Sequence, residues 1–173
     1  MKRYAVVAAL FVVVVLVAVS RTGWAAEKLM KLTVEQKLKK FDDLDFDAFT
    51  NQKWERFHET HTDDVTVVWP DGHETHGFDK HIEDMKFMFS YAPDTRIKAH
   101  PVKVGGGDYT GVIGVMEGTF SKPMVMGDKT IPPTGKAFKI HMATIAHWKG
   151  DKFDKEYLFW DNADYMKQIG LGN

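Results

Sequence analysis

A carboxylate that directly follows two large aromatic residues is the first candidate for chemistry in this sequence. Asp161 comes after Phe159 and Trp160 in the run FWDN. Because apolar surroundings disfavour the charged form of a carboxyl group, such an aspartate can have a raised pKa and act as a general acid or base. Aspartate is also among the best helix N-cap residues, so a purely structural capping role for Asp161 is the alternative.

Two histidines share one face of a strand predicted over residues 138–148. Side chains alternate between the two faces of a strand, so His141 and His147 lie on the same side as Ala143 and Ile145. Imidazoles donate and accept protons near neutral pH, and a face so poor in charge is suited to line a cavity. The alternative is an ordinary exposed sheet face that carries two histidines.

The tetrapeptide His-Glu-Thr-His occurs twice, at residues 58–61 and 73–76. If the first copy is helical, His58 and His61 lie three residues apart on one face, where a nearby aspartate or His76 could complete a metal site. The spacing differs from that of the metalloprotease motif, whose histidines are four residues apart. We expect no metal and no organic cofactor, with a site at these three histidines as the alternative.

The composition excludes several classes of function. The chain of 173 residues has no cysteine, so thiolate catalysis, thiolate metal sites and disulfide bonds are ruled out. It carries 23 basic and 24 acidic residues, a formal net charge of −1. Nucleic-acid binding needs a clustered excess of lysine and arginine, which this sequence lacks, so nucleic acid is not an expected partner.

The first 26 residues predict a secretory signal peptide. Lys2 and Arg3 precede an apolar run over residues 4–19, and small residues follow around a cleavage point after Ala25 or Ala26. As a helix the run spans about 24 Å, less than the bilayer core of about 30 Å, so an uncleaved anchor is the alternative. We expect an exported chain, periplasmic or secreted, with no stable membrane insertion after cleavage.

The elements that position the candidate residues are helices followed by strands, in one domain over residues 27–173. Apolar side chains recur at helical spacing in the first half, and a capping box at residues 33–36 starts the first helix. β-Branched and aromatic runs separated by Gly, Pro or Asp turns dominate the second half. The predicted helices cover about residues 34–41, 51–61, 78–91 and 163–169, and the predicted strands cover residues 65–69, 73–76, 96–104, 109–120, 138–148 and 153–160.

Helices first and a long meander afterwards is the α+β pattern, in which helices cover one face of an antiparallel sheet. Strands of ten or more residues twist strongly. We therefore predict a curved antiparallel sheet wrapped round three N-terminal helices, as a cone-shaped, half-open barrel. The mouth of such a cone can enclose a small ligand.

Five short motifs follow one another along the chain and carry a family resemblance. They are WPDG at 69–72 with Gly77, EGTF at 117–120, PTGK at 133–136, GDKF at 150–153, and Asp161 with QIG at 168–170. In this order and spacing, from about residue 33 to residue 171, the chain resembles the SnoaL-like polyketide cyclase (ester cyclase) group of the nuclear transport factor two-like superfamily.

The resemblance implies a cone-shaped α+β barrel, often dimeric through its sheet, with a hydrophobic pocket inside. Characterised cyclases of this group use an aspartate on the last long strand as the acid/base for aldol ring closure, without metal or organic cofactor. Asp161 matches this aspartate, and His147 or His141 matches an assisting histidine on the preceding strand. The aromatic residues expected to line the ligand pocket are Trp54, Trp69, Phe89, Phe120 and Trp160.

The leading hypothesis is an exported, cofactor-free domain that binds a small apolar carbonyl compound and cyclises, isomerises or hydrolyses it through Asp161. One alternative is a non-catalytic small-ligand-binding protein of the same fold, because architecture does not determine chemistry. Another is a histidine-based metal-binding protein. The expected partners are a small apolar ligand and a second copy of the chain.

Overall fold

The computed structural model describes residues 32–172, so the predicted leader over residues 1–26 lies outside the described residues. None of the described helices is both long and apolar enough to cross a bilayer. The helices are α1 (Val34–Asp43), a π-helical segment (Leu44–Phe49), a 3₁₀ helix (Trp54–Glu59), α2 (Phe78–Tyr91) and α3 (Asn162–Gln168). The strands are β1 (His61–Val68), β2 (Glu74–His76), β3 (Arg96–Ile97), β4 (Val102–Gly106), β5 (Tyr109–Thr119), β6 (Met124–Met126), β7 (Lys129–Ile131), β8 (Ala137–Lys149) and β9 (Lys152–Phe159).

The first helix begins at the predicted capping box. Thr33 Oγ1 accepts a hydrogen bond from the backbone N–H of Gln36 at 3.2 Å, and Gln36 Oε1 accepts one from Thr33 N–H at 2.9 Å. The helix continues directly into the π-helical segment. The predicted second helix over residues 51–61 was wrong in its limits, because a turn with Gln52 at a φ of 55° separates two shorter helical segments. His61 starts strand β1 instead of ending a helix.

Seven strands form one open sheet in the order β2-β1-β9-β8-β5-β3, and β4 also pairs with β5. Every pairing is antiparallel except that of β1 with β9, which is parallel. The open, curved sheet and its covering helices confirm the predicted α+β half-open cone. The parallel pairing was missed, and it places the N-terminal hairpin beside the last strand. A two-stranded sheet of β6 and β7 was also missed.

Strand β8 separates the interior from the outer surface of the sheet. Its even-numbered side chains, among them Phe138, Ile140 and Trp148, are buried, whereas His141 is exposed and His147 half-buried on the other face. The Trp148 indole Nε1 donates a 2.8 Å hydrogen bond to Thr110 Oγ1, so the one polar atom of this large core ring is satisfied. The inner face of the sheet, with the helices above it, therefore bounds the interior of the cone.

Candidate functional site

A cavity lies between the helices and the inner face of the sheet. Its volume is about 80 Å³, smaller than the cavities of about 300–1,000 Å³ that hold drug-sized ligands, so it suits a small molecule. Residues from α1, the π-helical segment, α2 and strands β5, β8 and β9 contribute to its wall. The wall is mostly apolar, and its members include Phe41, Leu44, Phe49, Met85, Met116 and Met142.

Five ionisable side chains interrupt this apolar wall: Asp45, His61, His81, Asp84 and Glu156. A few polar groups converging in an apolar cavity is the usual composition of a ligand or active site. Four of them, Asp45, His61, His81 and Glu156, are buried. They form two groups, which differ in their hydrogen bonding.

The first group is the histidine–glutamate cluster, made of His61, His81 and Glu156. Glu156 Oε2 lies 3.5 Å from His61 Nε2 and 3.6 Å from His81 Nε2. The exposed fraction is 0% for His61 and 4% for each of the other two residues. Neither His61 Nε2 nor His81 Nδ1 has a hydrogen-bond partner. Buried polar atoms without partners are rare, so this cluster is unusual within the core.

The ring of His61 is held by the backbone that precedes it. Its Nδ1 lies 3.1 Å from the Phe57 carbonyl oxygen and 2.9 Å from Thr60 Oγ1. Because a carbonyl oxygen only accepts hydrogen bonds, this geometry assigns the proton to Nδ1. In the neutral ring the lone pair is then on Nε2, which faces Glu156.

Glu156 points inward because strand β9 contains a bulge. Trp148 pairs with Phe153, but the preceding residue of β8, His147, pairs with Lys155, so Asp154 is the extra residue. Phe153 and Glu156 are consequently both buried although they are three residues apart. Simple alternation along the strand does not produce this arrangement.

Burial and charge act in opposite directions on the ionisation of this cluster. Burial lowers the pKa of His81 to about 4 despite the nearby Glu156 carboxylate. Burial alone would raise the pKa of Glu156, but its interactions with His61 and His81 outweigh burial and the pKa is lowered. At neutral pH Glu156 is therefore ionised and His81 is neutral.

The second group is the Asp45–His100 pair. Asp45 Oδ2 and His100 Nε2 are 2.8 Å apart, and His100 Nδ1 lies 2.8 Å from Asp42 Oδ1. Lys103 Nζ donates a 2.8 Å hydrogen bond to the other oxygen of Asp42. Asp45 lines the cavity, whereas Asp42 and Lys103 reach solvent. The contacts thus form a continuous hydrogen-bonded path from the cavity wall to the surface.

The pKa values of the Asp45–His100 pair are both displaced upward. Burial raises the pKa of Asp45, and the hydrogen bond from His100 only partly offsets this effect. Burial alone would lower the pKa of His100, but hydrogen bonds and charge attraction to Asp45 and Asp42 outweigh it and the pKa is raised. Since both ring nitrogens face carboxyl oxygens, the pair holds a proton that either group can carry.

The aromatic residues predicted for the pocket are divided between the cavity and the solid core. Trp69 and Trp160 both line the cavity, with ring centroids 6.2 Å apart at an interplanar angle of 90°. Trp54 and Phe89 pack on each other at 5.2 Å outside the cavity wall. Phe120 is fully buried, in edge contact with Tyr91, and likewise does not line the cavity.

The residues predicted to be catalytic lie outside the cavity. Asp161 is exposed, and its Oδ1 accepts a 2.9 Å hydrogen bond from the backbone N–H of Asp164, which caps helix α3. The alternative role of Asp161 as a helix cap is therefore the observed one, and its position does not support a role as acid or base. His141 and His147 occupy the outer face of β8, where His147 Nδ1 contacts Asp154 Oδ1 and its ring packs on Tyr109.

The three histidines of the alternative metal site are not brought together. His61 is buried in the cavity wall, whereas His58 and His76 are exposed and line a separate surface groove with Asp63. His58 stacks on Phe78 with ring centroids 3.6 Å apart. Of the proposed set, only His61 belongs to the cavity.

Four buried polar residues of the site were not predicted from the sequence. Three of them stand at positions where the apolar pattern of the sequence predicts a buried side chain. Asp45 lies four residues from both Phe41 and Phe49, so it interrupts an apolar helical stripe. His81 similarly falls three residues after Phe78, on the buried face of α2. Glu156 lies two residues before Leu158. His100 follows strand β3 in an irregular segment and gave no periodic signal.

The sequence profile of the SnoaL-like polyketide cyclase family matches residues 31–169. The match covers most of the chain and nearly all described elements. The chain therefore belongs to the SnoaL-like polyketide cyclase family, whose fold holds small ligands. No protein with curated function matches the sequence significantly.

Solved structures with the same fold include two candidate polyketide cyclases. One, SnoaL-like, from Jannaschia sp. CCS1, has a TM-score of 0.70 at 17% sequence identity, over 80% of this chain and 94% of that chain. The other, IdmH from Streptomyces antibioticus, has a TM-score of 0.66 at 21% identity, over 78% of this chain and 99% of that chain. At these identities the likeness establishes the fold alone.

Proposed function

We propose that this protein binds a small apolar carbonyl compound in the cavity and catalyses proton transfer next to the carbonyl, with the Asp45–His100 pair as acid and base. The reaction classes that fit this proton transfer are ring closure and isomerisation. The observation that carries the proposal is a buried carboxyl group, Asp45, in the wall of an apolar cavity and hydrogen-bonded to a histidine behind it.

The apolar wall prepares Asp45 for this role. Burial raises the pKa of its carboxyl group, so the carboxylate becomes a stronger base than an exposed aspartate. General acid–base catalysis is most efficient when the pKa of the group approaches the working pH. His100 donates to Asp45 Oδ2, fixes the orientation of the carboxyl group and provides a second place for the proton.

The proposed step conserves atoms and charge. The Asp45 carboxylate removes a proton from the carbon next to the carbonyl, and the electrons of the C–H bond move to the carbonyl oxygen as an enolate. The enolate carbon then attacks a second carbonyl of the same molecule, which closes a ring and leaves an alkoxide, or the delocalised anion takes a proton at a different atom, which isomerises the compound. Protonated Asp45 returns the proton to the product.

The direct test is a thermal-shift screen of apolar ketones and esters, followed by turnover assays on the compounds that bind. Asp45→Asn, which keeps the shape of the side chain, should retain binding and lose turnover by at least about 100-fold, the scale of general acid–base catalysis. Asp161→Asn is the matched control and should keep full turnover. Full turnover in Asp45→Asn, or binding without turnover in the unmodified protein, would overturn the catalytic assignment.

We also propose that the protein is a homodimer through the outer face of its sheet. Val104 and Ile145 are 60% and 41% exposed there. Val104 and Ile145 lie on either side of Gly111 on the same face of the sheet. A Cβ atom placed on Gly111 would be 3.3 Å from Val104 Cγ2 and 3.8 Å from Ile145 Cγ1. Tyr109 and Phe159, each 49% exposed, enlarge the apolar surface.

Light scattering after gel filtration tests the dimer. The unmodified protein should have twice the mass of the chain, and the double variant Val104→Lys/Ile145→Lys should have the mass of one chain. Val125→Lys, which replaces a 56% exposed residue in the separate β6–β7 hairpin, is the matched control and should remain dimeric. A monomeric unmodified protein would refute the proposal.

The proposal includes export of the chain. It rests on the basic and then apolar sequence of the first 26 residues. Fractionation of an expressing Gram-negative cell should place the protein in the periplasm or the medium, and mass spectrometry should find a mature N-terminus at residue 26 or 27. A cytoplasmic protein of full length would contradict export.

A further inference from the structure

The distances in the histidine–glutamate cluster are too long for direct hydrogen bonds. Glu156 Oε2 is 3.5 Å from His61 Nε2 and 3.6 Å from His81 Nε2, whereas hydrogen bonds between an imidazolium and a carboxylate measure about 2.7–2.9 Å. A metal ion with ligands at about 2.0–2.2 Å in tetrahedral geometry separates those ligands by about 3.4 Å. The observed separations therefore match two edges of a metal coordination tetrahedron.

The third side of the triangle, between the two imidazoles, is at most 4.8 Å long. One ligand atom from each of His61, His81 and Glu156 lies within 4.8 Å of the other two, so a single ion can contact all three after a small closure. In the part of the chain that the structure describes, no other group of three histidine or acidic side chains satisfies this condition. All three residues are buried, which separates them from the exposed acidic groups common on protein surfaces.

The hydrogen bond of the other ring nitrogen of His61, Nδ1, is also typical of a metal-binding histidine. A metal-binding histidine usually donates its other ring N–H to a backbone carbonyl or carboxylate, which fixes the tautomer and the orientation of the ring. His61 Nδ1 lies 3.1 Å from the Phe57 carbonyl oxygen, and its unpartnered Nε2 points at Glu156. Without an ion, this buried nitrogen lacks a hydrogen bond, which proteins normally avoid.

We infer that His61, His81 and Glu156 bind one divalent transition-metal ion, with its remaining coordination position open to the cavity. Two imidazoles and one carboxylate suit zinc or ferrous iron, whereas magnesium and calcium prefer sites built from oxygen atoms alone. All three ligands line the cavity, so the position that they leave free faces the ligand space. This site goes beyond the proposed function, since Asp45 and His100 do not take part in it.

The site also has a consequence that rests on the proposed function. If a carbonyl compound occupies the cavity, the metal ion at the open position would polarise the carbonyl oxygen and stabilise the developing enolate. Turnover by the metal-free protein therefore reports on the Asp45–His100 pair. The increase in turnover when metal is added reports on the metal site.

The experiment measures metal binding without any substrate. Protein stripped by a chelator is titrated with Zn²⁺ by calorimetry and with Co²⁺ by visible absorption, which reports the coordination geometry. The expected stoichiometry is one ion per chain, with the intense absorption of a tetrahedral Co²⁺ site. Glu156→Gln and His81→Gln should each weaken binding by about 100-fold or more, since each removes a ligand, and outer-shell changes alone reach 10- to 100-fold.

His58→Gln and His76→Gln are the matched controls, because both histidines are exposed and outside the cluster. They should bind Zn²⁺ as the unmodified protein does. If the cluster variants do not fold, the inference is tested on the unmodified protein. Zn²⁺ should raise the melting temperature of that protein, and its ¹⁵N spectra should show coordination at Nε2 of His61. No saturable binding, loss of binding only in the two control variants, or ¹⁵N shifts confined to other histidines would overturn the inference.

Discussion

His100 Nε2 and Asp45 Oδ2 lie 2.8 Å apart, and the same imidazole contacts Asp42 through its other nitrogen. One histidine thus joins a carboxyl group in the cavity to a carboxyl group at the surface. The arrangement couples the ionisation of the cavity wall to the pH of the solvent. This coupling has a measurable effect on stability.

We predict that the Asp45–His100 pair makes the protein lose stability as the pH rises above about 6.5, the ordinary pKa of histidine. The pKa of His100 is raised in the folded protein, so its contribution is fully present below the unfolded pKa and is lost as the pH rises through the folded pKa. The raised pKa of Asp45 acts in the same direction at lower pH. Urea unfolding at a series of pH values measures the effect.

The double variant Asp45→Asn/His100→Asn is the control, because it removes both groups and leaves Asp42 paired with Lys103. The stability difference between the unmodified protein and this variant should shrink between pH 6.5 and pH 9. A difference that is constant or grows over this range would contradict the coupling. His81, with its pKa lowered to about 4, affects stability below this window and is present in both proteins.

Asp161 should affect the stability of helix α3 and not the chemistry of the cavity. Asn is as good an N-cap as Asp, so Asp161→Asn should change the free energy of unfolding very little, whereas Asp161→Ala should cost about 1 kcal/mol. Both variants should bind cavity ligands with unchanged affinity. Denaturant unfolding together with calorimetry checks this, and a loss of turnover in Asp161→Asn would restore its role as acid or base.

A bulky side chain at Met88 should block the cavity without disturbing the core. Met88 lines the cavity but is only partly buried, so an indole can enter the cavity while the packed interior stays in place. Met88→Trp should weaken ligand binding by at least about tenfold, a loss of about 1.4 kcal/mol. Its melting temperature should stay close to that of the unmodified protein.

Phe87→Trp is the control for this variant, because Phe87 is the neighbouring residue on the same helix, is 42% exposed and lies outside the cavity wall. It should bind ligands normally. Equal affinity in Met88→Trp and Phe87→Trp would show that the ligand binds elsewhere.

Gly118 should tolerate no side chain. A Cβ atom at this position would lie 2.8 Å from Phe138 Cζ and 3.0 Å from Thr95 Oγ1, and both of these residues are buried. Gly118→Ala should lower the free energy of unfolding by about 1–3 kcal/mol, the usual cost of overpacking. Gly106→Ala, with no atom within 4 Å of the new Cβ, should be nearly neutral. Similar urea midpoints for the two variants would contradict this packing argument.

Local patterns predicted most of the elements and the class of fold. The capping box at Thr33 and the helical spacing from Phe78 to Phe89 depend on neighbouring residues, and both elements lie where expected. The turn at Gly72, with a φ of 86°, likewise joins the hairpin of β1 and β2. These local patterns did not predict the parallel pairing of β1 with β9, because the periodicity of a strand does not depend on which distant strand it pairs with.

The candidate site was harder to predict than the fold. Sequence patterns indicated Asp161 at the end of a strand and two histidines on one face of β8, whereas the candidate site contains polar residues inside apolar stripes. The orientation of Glu156 depends on the bulge at Asp154, which simple alternation does not reveal. His61 was recognised as a possible ligand, but its partners came from α2 and β9, which only the tertiary fold brings to it.

The parallel pairing of β1 with β9 means that the site exists only in the completely folded chain. His61 and Glu156 are 95 positions apart in sequence and meet only when the last long strand docks beside the first. A fragment that ends before β9 would keep most of its helices but would have neither the glutamate nor Trp160. Binding in the cavity or at the proposed metal site thus requires the whole domain to be folded. Either ligand should therefore stabilise the docking of β9 beside β1.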